Sequence, residues 1–275
     1  MIINDDFRFA FIHIPKCAGT SVRRPLEKFD SLHGLFSDRV DNCPALGQLD
    51  YVHIPLFTLR EHFPREFKAV QEYWSFAVMR DPFSRFASSV SQRLKMYSDQ
   101  PIQKRSFDEI RRVIDESIDF LGGQPAKGRL LPPEYIHFQK QVDYIQLNGV
   151  CIVDKIYLLD EVEILLADLG RIVGQDLLAR PARGAQATHA NRTVVFRSDL
   201  LRRVIEAARP VTNQLSKVLP DSTKQRIRQR VYVPRDQGME EMFEAEDVRA
   251  FITDYYARDL ELYQQITDQA KRAKS

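Results

Sequence analysis

Cysteine is scarce: Cys17, Cys43 and Cys151 are the only three, they stand far apart, and no C-x-x-C pair occurs. That argues against a disulfide framework and a cysteine-based zinc site, and it suits a reducing compartment. A charge excess of one sign is missing too, with 40 lysines and arginines against 38 aspartates and glutamates and a formal net charge of +2. Such a balance sets up no long-range field and excludes the strongly basic footprint of a nucleic-acid binder. No apolar run approaches the roughly 20 residues that a membrane helix needs. The opening MIINDDFRFAFIHIPK puts acids ahead of a short apolar stretch, so neither a signal peptide nor an anchor is expected and the expected location is the cytoplasm. Internal repeats and low-complexity tracts are absent.

What is present is the composition of a folded chain: 275 residues, 44% hydrophobic and 28% charged, enough to bury a large core. Phe7 to Ile14 (FRFAFIHI) is short, rich in aromatic and β-branched residues and closed by Pro15, which predicts a buried strand. A glycine-containing loop follows from Pro15 to Gly19. Thr20 and Ser21 then cap a predicted helix over Val22 to Phe29, with Pro25 at the edge of its first turn. The same grammar recurs at Tyr73 to Arg80 (YWSFAVMR), followed by Asp81 as N-cap, Pro82 as first helical residue and a helix to about Tyr97. A third strand is predicted over Val150 to Leu159, leading into a helix from Glu161 to about Val173 that Gly174 stops.

This alternation implies a parallel sheet covered by helices. The expected fold is therefore α/β, a P-loop-like parallel sheet flanked by helices with a helical C-terminal portion. We expect a single domain over 1–275, with an α/β nucleotide-binding core at 1–175 and a mostly helical subregion at 176–275. Within the latter, Arg180 to Arg197 reads as loop, and Val248 to Ile266 as a final amphipathic helix. The basic run Lys224, Arg226, Arg228 and Arg230, offset by acids between Glu240 and Asp247, reads as a solvated helix face.

In HIPKCAGTS, His13 to Ser21, a buried strand delivers a short loop into a helix N-terminus. There, backbone N–H groups lack internal partners and the helix dipole favours an anion. Gly19 permits close backbone approach, Thr20 and Ser21 add hydroxyl donors, and Lys16 supplies a cation. It is not a Walker A motif, whose lysine directly precedes the hydroxyl residue; here Gly19 precedes Thr20. In RDPFSRFASS, Arg80 stands at a strand end and Ser88 nearly two helical turns beyond the cap, an axial gap of roughly 10 Å. Arginine and serine on one face can bond a single phosphate.

With both motifs in place, the chain resembles the carbohydrate sulfotransferase family that includes the heparan and uronyl 2-O-sulfotransferases. In that family the 5′-phosphosulfate loop reads like HIPKCAGTS and the 3′-phosphate element like VMRDPFSRFASS. Weaker likenesses follow in the family's order at YIHFQKQVDYI (Tyr135 to Ile145), IYLLDEVEILLADL (Ile156 to Leu169), THANRT (Thr188 to Thr193) and YYARDLELY (Tyr255 to Tyr263). The resemblance implies that Lys16, Cys17, Ala18, Gly19, Thr20 and Ser21 hold the 5′-phosphosulfate of 3′-phosphoadenosine 5′-phosphosulfate (PAPS), and that Arg80 and Ser88 hold the 3′-phosphate. Adenosine 3′,5′-bisphosphate would be the product. Cys17 and Ala18 stand where Thr and Gly are common in the family; that removes one hydroxyl but keeps the backbone cradle, and Cys17 reads as a small filler rather than a reactive thiol.

Between the two anchors, LDYVHIPLFTL carries His53 where several members of that family place a base. A histidine accepts a hydroxyl proton near neutral pH; Glu61 is the reserve candidate. The catalytic residues so implied are His53 as base and Lys16, stabilising charge on the leaving phosphate. No metal is implied, because a sulfuryl group carries less charge than a phosphoryl group and no convincing Walker B acid is present. His13 reads as a core histidine, His137 and Gln141 as candidates to touch cofactor or acceptor, Asp81 as a cap, and His189 with Asn191 as part of a loop closing over the nucleotide. The expected acceptor is a hydroxyl of a carbohydrate, a glycolipid or a small metabolite, with no nucleic-acid partner and no transmembrane segment; the sequence leaves the oligomeric state open. Two other readings stand beside it: a P-loop nucleotide or small-molecule kinase, and a non-catalytic nucleotide-binding relative.

Overall fold

The structure is a computed structural model that describes residues 1–37, 40–97, 106–124, 129–178, 194–196, 232–234 and 240–274. The chain divides into two compact units, one comprising Met1–Ser89, Gln124–Ala182 and Ile252–Ser275, the other Val90–Gly123 and Arg183–Phe251.

The first unit is built on a four-stranded sheet. Its strands are β1 (Ile2–Asn4), β2 (Phe9–Ile12), β5 (Trp74–Met79) and β8 (Lys155–Leu158), in that spatial order. β2, β5 and β8 run parallel, as the alternating pattern predicts. β1 adds an antiparallel edge that the sequence reading missed, pairing Ile2 with Phe11. Side chains two apart on a strand share a face, and along β2 that face carries Phe9 and Phe11, which meet Phe76 at 6.2 and 5.5 Å between ring centroids. The next residue of the series is His13.

The helices follow the predicted strand, loop, helix grammar. α1 (Gly19–Leu26) starts three residues earlier than the apolar pattern suggests, because Ala18 turns left-handed and its carbonyl accepts from Ser21 N and Val22 N at 2.9 and 3.2 Å. Pro25 therefore lies in the last turn of the helix, not at the edge of the first. A hairpin, β3 (Asp41–Cys43) with β4 (Gly47–Leu49), precedes α2 (Leu56–His62) and α3 (Pro64–Glu72), the latter opened by Pro64. α4 spans Pro82–Met96, and the boundary between the two units falls within it.

The predicted strand over Val150 to Leu159 is two pieces. Gln146–Leu147 (β6) and Val150–Cys151 (β7) form a small hairpin through Asn148 and Gly149, both at positive φ (51° and 82°), a turn chemistry that an Asn-Gly dipeptide favours. Asp154 then interrupts the run: its carboxylate accepts from Ser75 N at 2.8 Å and Ser75 Oγ at 3.0 Å, and only after it does β8 begin. α6 (Val162–Val173) ends as predicted on Gly174, which adopts φ 66°.

In the second unit, α5 (Phe107–Gly122) opens with a capping box in which Ser106 and Glu109 satisfy each other's backbone N–H groups. The antiparallel pair β9 (Val194–Phe196) and β10 (Tyr232–Pro234) lies in stretches read from sequence as loop and helix. The predicted final helix is two helices, α7 (Glu246–Tyr255), which crosses from the second unit into the first, and α8 (Ala257–Lys274) of the first unit. They part at Tyr256, a fully buried residue whose hydroxyl donates to Phe138 O at 2.8 Å. The basic run at Lys224 to Arg230 lies outside the described residues.

Candidate functional site

Loops leaving the C-terminal ends of adjacent parallel strands emerge side by side, which is where open α/β sheets bind ligands. β2 and β5 are such neighbours. Beyond β2, Lys16 and Ala18 both adopt left-handed backbone, at φ 65° and 57°. Residues of this kind turn successive N–H groups to one side and build an anion-binding concavity. Non-glycine residues held left-handed are strained, and such strain gathers at ligand-binding turns. Lys16 is half-buried, while Thr20 and Ser21, in the first turn of α1, face solvent.

Gly19 is required for a reason that the motif alone does not reveal. A Cβ at this position would lie 1.6 Å from His13 Nε2. The imidazole of His13 thus occupies the space beside the start of α1, and only glycine admits it. Burial holds His13 well below the ordinary histidine range, helped by nearby His53, so the ring is neutral at physiological pH. Its Nδ1 is buried without a hydrogen-bond partner.

Cys17 does not contribute its side chain to the loop mouth. The thiol is buried and donates to Gln141 Oε1 at 3.2 Å, and burial pushes its pKa up to about 12. It is a filler and a weak donor, as expected, and position 17 offers backbone alone to an anion.

Beyond β5, Arg80 approaches the first loop: its Nη1 donates to Lys16 O at 3.4 Å. Its Nε donates to Ser84 Oγ at 3.0 Å, a contact to the first turn of α4 that was not anticipated. Ser88 is half-buried four residues further, on the same helical face as Ser84. Asp81 is the cap that the sequence suggests, accepting from Ser84 N at 2.8 Å. Arg80 thus joins the Lys16 loop to Ser84, and Ser88 follows Ser84 on the same face of α4.

His53 follows β4 in a turn organised by Asp50, whose Oδ1 accepts from Val52 N at 3.1 Å and whose main-chain carbonyl accepts from His53 N at 3.2 Å. The same Oδ1 lies 3.1 Å from His53 Nδ1, and both side chains are buried. A carboxylate at Nδ1 accepts a hydrogen bond from the Nδ1–H of a neutral imidazole and leaves the basic lone pair on Nε2, the arrangement of an oriented general base. The signal for Asp50 was its place three residues before His53, but nothing local distinguished it from an ordinary turn aspartate. The reserve carboxylate Glu61 is not part of this cluster: it is exposed on α2 beside His62.

His53 stands 4.7 Å from the ring of His13 and 5.2 Å from that of His137, centroid to centroid. His13 thereby links the start of α1 to His53. His137 sits in a single 3-10 turn, Ile136–Phe138, its carbonyl taken by Arg85 Nη1 at 3.0 Å and Ser89 Oγ at 2.7 Å. Burial works against the Arg85 charge, and the Asp259 carboxylate at 3.7 Å and the face of the Tyr256 ring offset it. His189 and Asn191 lie outside the described residues. Among the described residues, no group of three or more His, Cys, Asp or Glu side chains could hold a metal ion, and no helix is long and apolar enough to cross a membrane.

A parallel sheet that delivers a strand-loop-helix turn and, from its neighbouring strand, a second loop bearing Arg80 defines a P-loop-like α/β fold. The chain belongs to the sulfotransferase family, whose model matches residues 1–146, more than half of the sequence. Comparisons with curated proteins and with solved structures find no match. The matched segment contains β1 through β5 and with them every residue named above as part of the two loops and the histidine cluster.

Proposed function

We propose that the protein transfers the sulfuryl group of PAPS to a hydroxyl of a carbohydrate-like or small-molecule acceptor. The observation that carries this reading is the contact of Arg80 with the Lys16 loop: Arg80 at one strand end meets the backbone of the loop that carries Lys16, so two cationic anchors are available to one ligand. A nucleotide phosphorylated at both its 5′ and 3′ positions matches two such anchors. The residues present also fit the cosubstrate chemically, since the left-handed turns at Lys16 and Ala18 and the first turn of α1 offer N–H donors.

In this reading Lys16, Gly19, Thr20 and Ser21 hold the 5′ end, with the backbone of Cys17 and Ala18, and Arg80 with Ser84 and Ser88 holds the 3′-phosphate. When bound, PAPS supplies an activated sulfuryl group on a good leaving group. His53 takes the proton of the acceptor hydroxyl at Nε2, and Asp50 keeps the ring in the tautomer that can do so. Lys16 and the loop amides stabilise negative charge at the departing 5′-phosphate, in positions fixed before the reaction. Burial of His53 and Asp50 keeps water from competing with the acceptor. The family and a base suited to hydroxyl protons support a hydroxylated acceptor, whether carbohydrate, glycolipid head group or small metabolite.

Calorimetric titration with adenosine 3′,5′-bisphosphate and with ADP, on the native chain and on Arg80→Ala, tests the reading. Tighter binding of the bisphosphate, with the preference lost in the variant, is expected; equal binding, or none, would sink it. In a sulfate-transfer assay over a panel of hydroxylated acceptors, Asp50→Asn and His53→Ala are expected to lower turnover by about 10²-fold or more while bisphosphate affinity stays as in the native chain. Unchanged turnover in both would remove the pair from the reaction.

A further inference from the structure

Gln141 lies at the centre of the polar core between the two anion elements. It is fully buried in a 3-10 turn, Gln141–Tyr144. Its Oε1 accepts from Arg80 N at 3.0 Å and from the Cys17 thiol at 3.2 Å, and its Nε2 donates to Arg80 O at 2.8 Å. One amide therefore reads both backbone groups of Arg80, as a neighbouring strand would, and holds the loop of Lys16 through the residue next to it. The two ends of this bridge are 124 and 61 residues away in sequence.

The bridge is itself anchored. The N–H groups of Gln141 and Val142 donate to Asp259 Oδ2 and Oδ1, both at 2.9 Å. Asp259 belongs to the first turn of α8, is fully buried, and lies 3.7 Å from Arg85 Nη2. The backbone of Gln141 is thus fixed from the side of α8, and its side chain spans to both loops. An amide matches this task better than any other side chain of its size, because it offers a donor and a two-fold acceptor in one plane. The peptide geometry of Arg80 in turn sets where its guanidinium starts towards Ser84 Oγ and Lys16 O.

We infer that Gln141 is a positioning residue that fixes the spacing of the 5′ and 3′ anion elements, so that both phosphates of one nucleotide are recognised as a unit. The inference rests on the two-phosphate reading proposed above. It assigns Gln141 a role through Arg80 and Cys17, where the sequence suggested contact with cofactor or acceptor. Misplacement of a charged anchor by about 1 Å is enough to lose most of a preorganised contact.

The experiment compares affinities for adenosine 3′,5′-bisphosphate and for 5′-AMP by calorimetry on the full chain. The ratio of the two measures what the 3′-phosphate adds. In Gln141→Met, which keeps the volume but removes all three side-chain hydrogen bonds, the ratio is expected to fall about tenfold with 5′-AMP affinity changed far less. Adding Arg80→Ala to that variant is expected to lower the ratio little further, the mark of two residues acting through one contact. Should Gln141→Met fail to unfold cooperatively, Gln141→Glu carries the test. Its carboxyl reproduces the donor towards Arg80 O only when protonated, so its ratio is expected to fall more steeply with rising pH than that of the native chain. A native-sized ratio in Gln141→Met, equal losses for both ligands, or a Gln141→Glu profile parallel to the native one would overturn the inference. A native chain that shows no preference for the bisphosphate would instead sink the two-phosphate reading itself, which is a separate failure.

Discussion

At the scale of single residues, neighbouring positions of the first loop have opposite requirements. Gly19 is fixed by contact: any Cβ falls on the His13 ring, so Gly19→Ala must displace His13 or the start of α1. A loss of about 3 kcal/mol is expected in denaturant unfolding, in the upper range for overpacking a tight core. Ala18 is the converse, a residue with a Cβ held at φ 57°. Glycine removes a left-handed penalty of roughly 1–2 kcal/mol but adds about 0.4–1 kcal/mol of unfolded-chain entropy that folding must overcome, so Ala18→Gly is expected to be neutral or up to about 1.6 kcal/mol stabilising. A different residue governs acid behaviour. Burial raises the Asp143 carboxyl to about 6 from its ordinary 3.8, and nearby Asp259 adds to this, while a hydrogen bond from Gln139 opposes it. The folded state therefore keeps a proton that the unfolded chain has released, and this group lowers stability as pH rises between 3.8 and about 6. Asp143→Asn removes that dependence: relative to the native chain it is expected to be more stable at pH 7 than at pH 4, read by unfolding at both.

At the scale of elements, the strand, loop, helix units were legible where short-range chemistry set them. Asp81 and Pro82 opened α4, Gly174 closed α6, and the apolar runs of β2 and β5 fell where the pattern put them. The apolar run before α6 was misread because hydropathy continues through Asp154, whereas the hydrogen bonds do not. Ser75 also accepts from Asp154 N at 3.1 Å, so the two residues tie the start of β5 to the entry of β8 by three bonds. Asp154→Ala is expected to cost about 1–3 kcal/mol, because Ser75 N and Oγ lose their acceptor. Hydrogen exchange should then speed at the Ser75 amide before it speeds at the centre of β5, and uniform acceleration would contradict this local account. The apolar spacing of α7 and α8 carries through Tyr256, so periodicity reads a single helix; where the two part, the buried Tyr256 hydroxyl is bonded to Phe138 O.

At the scale of the whole molecule, topology brings three separate motifs together. Parallel pairing of β2 with β5 brings the Lys16 loop and Arg80 together, and the polar core seats Gln141 between them. A ligand that binds this arrangement stabilises the folded state, by about 2.7 kcal/mol at a concentration of 100 times Kd. Saturating adenosine 3′,5′-bisphosphate is accordingly expected to raise the unfolding temperature of the native chain, and to raise that of Arg80→Ala much less. Equal shifts would mean that the 3′-phosphate does not reach Arg80.

The sequence by itself marked the local pieces: the strands β2 and β5, the loop that follows β2, the Asp81 and Gly174 caps, and the side chains of Lys16, Arg80 and His53 as candidates. These are set by backbone sterics, capping and alternation, which act over a few residues and so leave a contiguous trace. Only the tertiary structure decided that Asp50 orients His53, that His13 is why position 19 is glycine, that the Cys17 thiol turns inward, and that Gln141 joins the two anion elements. The reason is physical. A buried polar group must find a partner wherever folding places one, and the partners of Gln141 are brought to it from far along the chain by the pairing of strands rather than by any local rule.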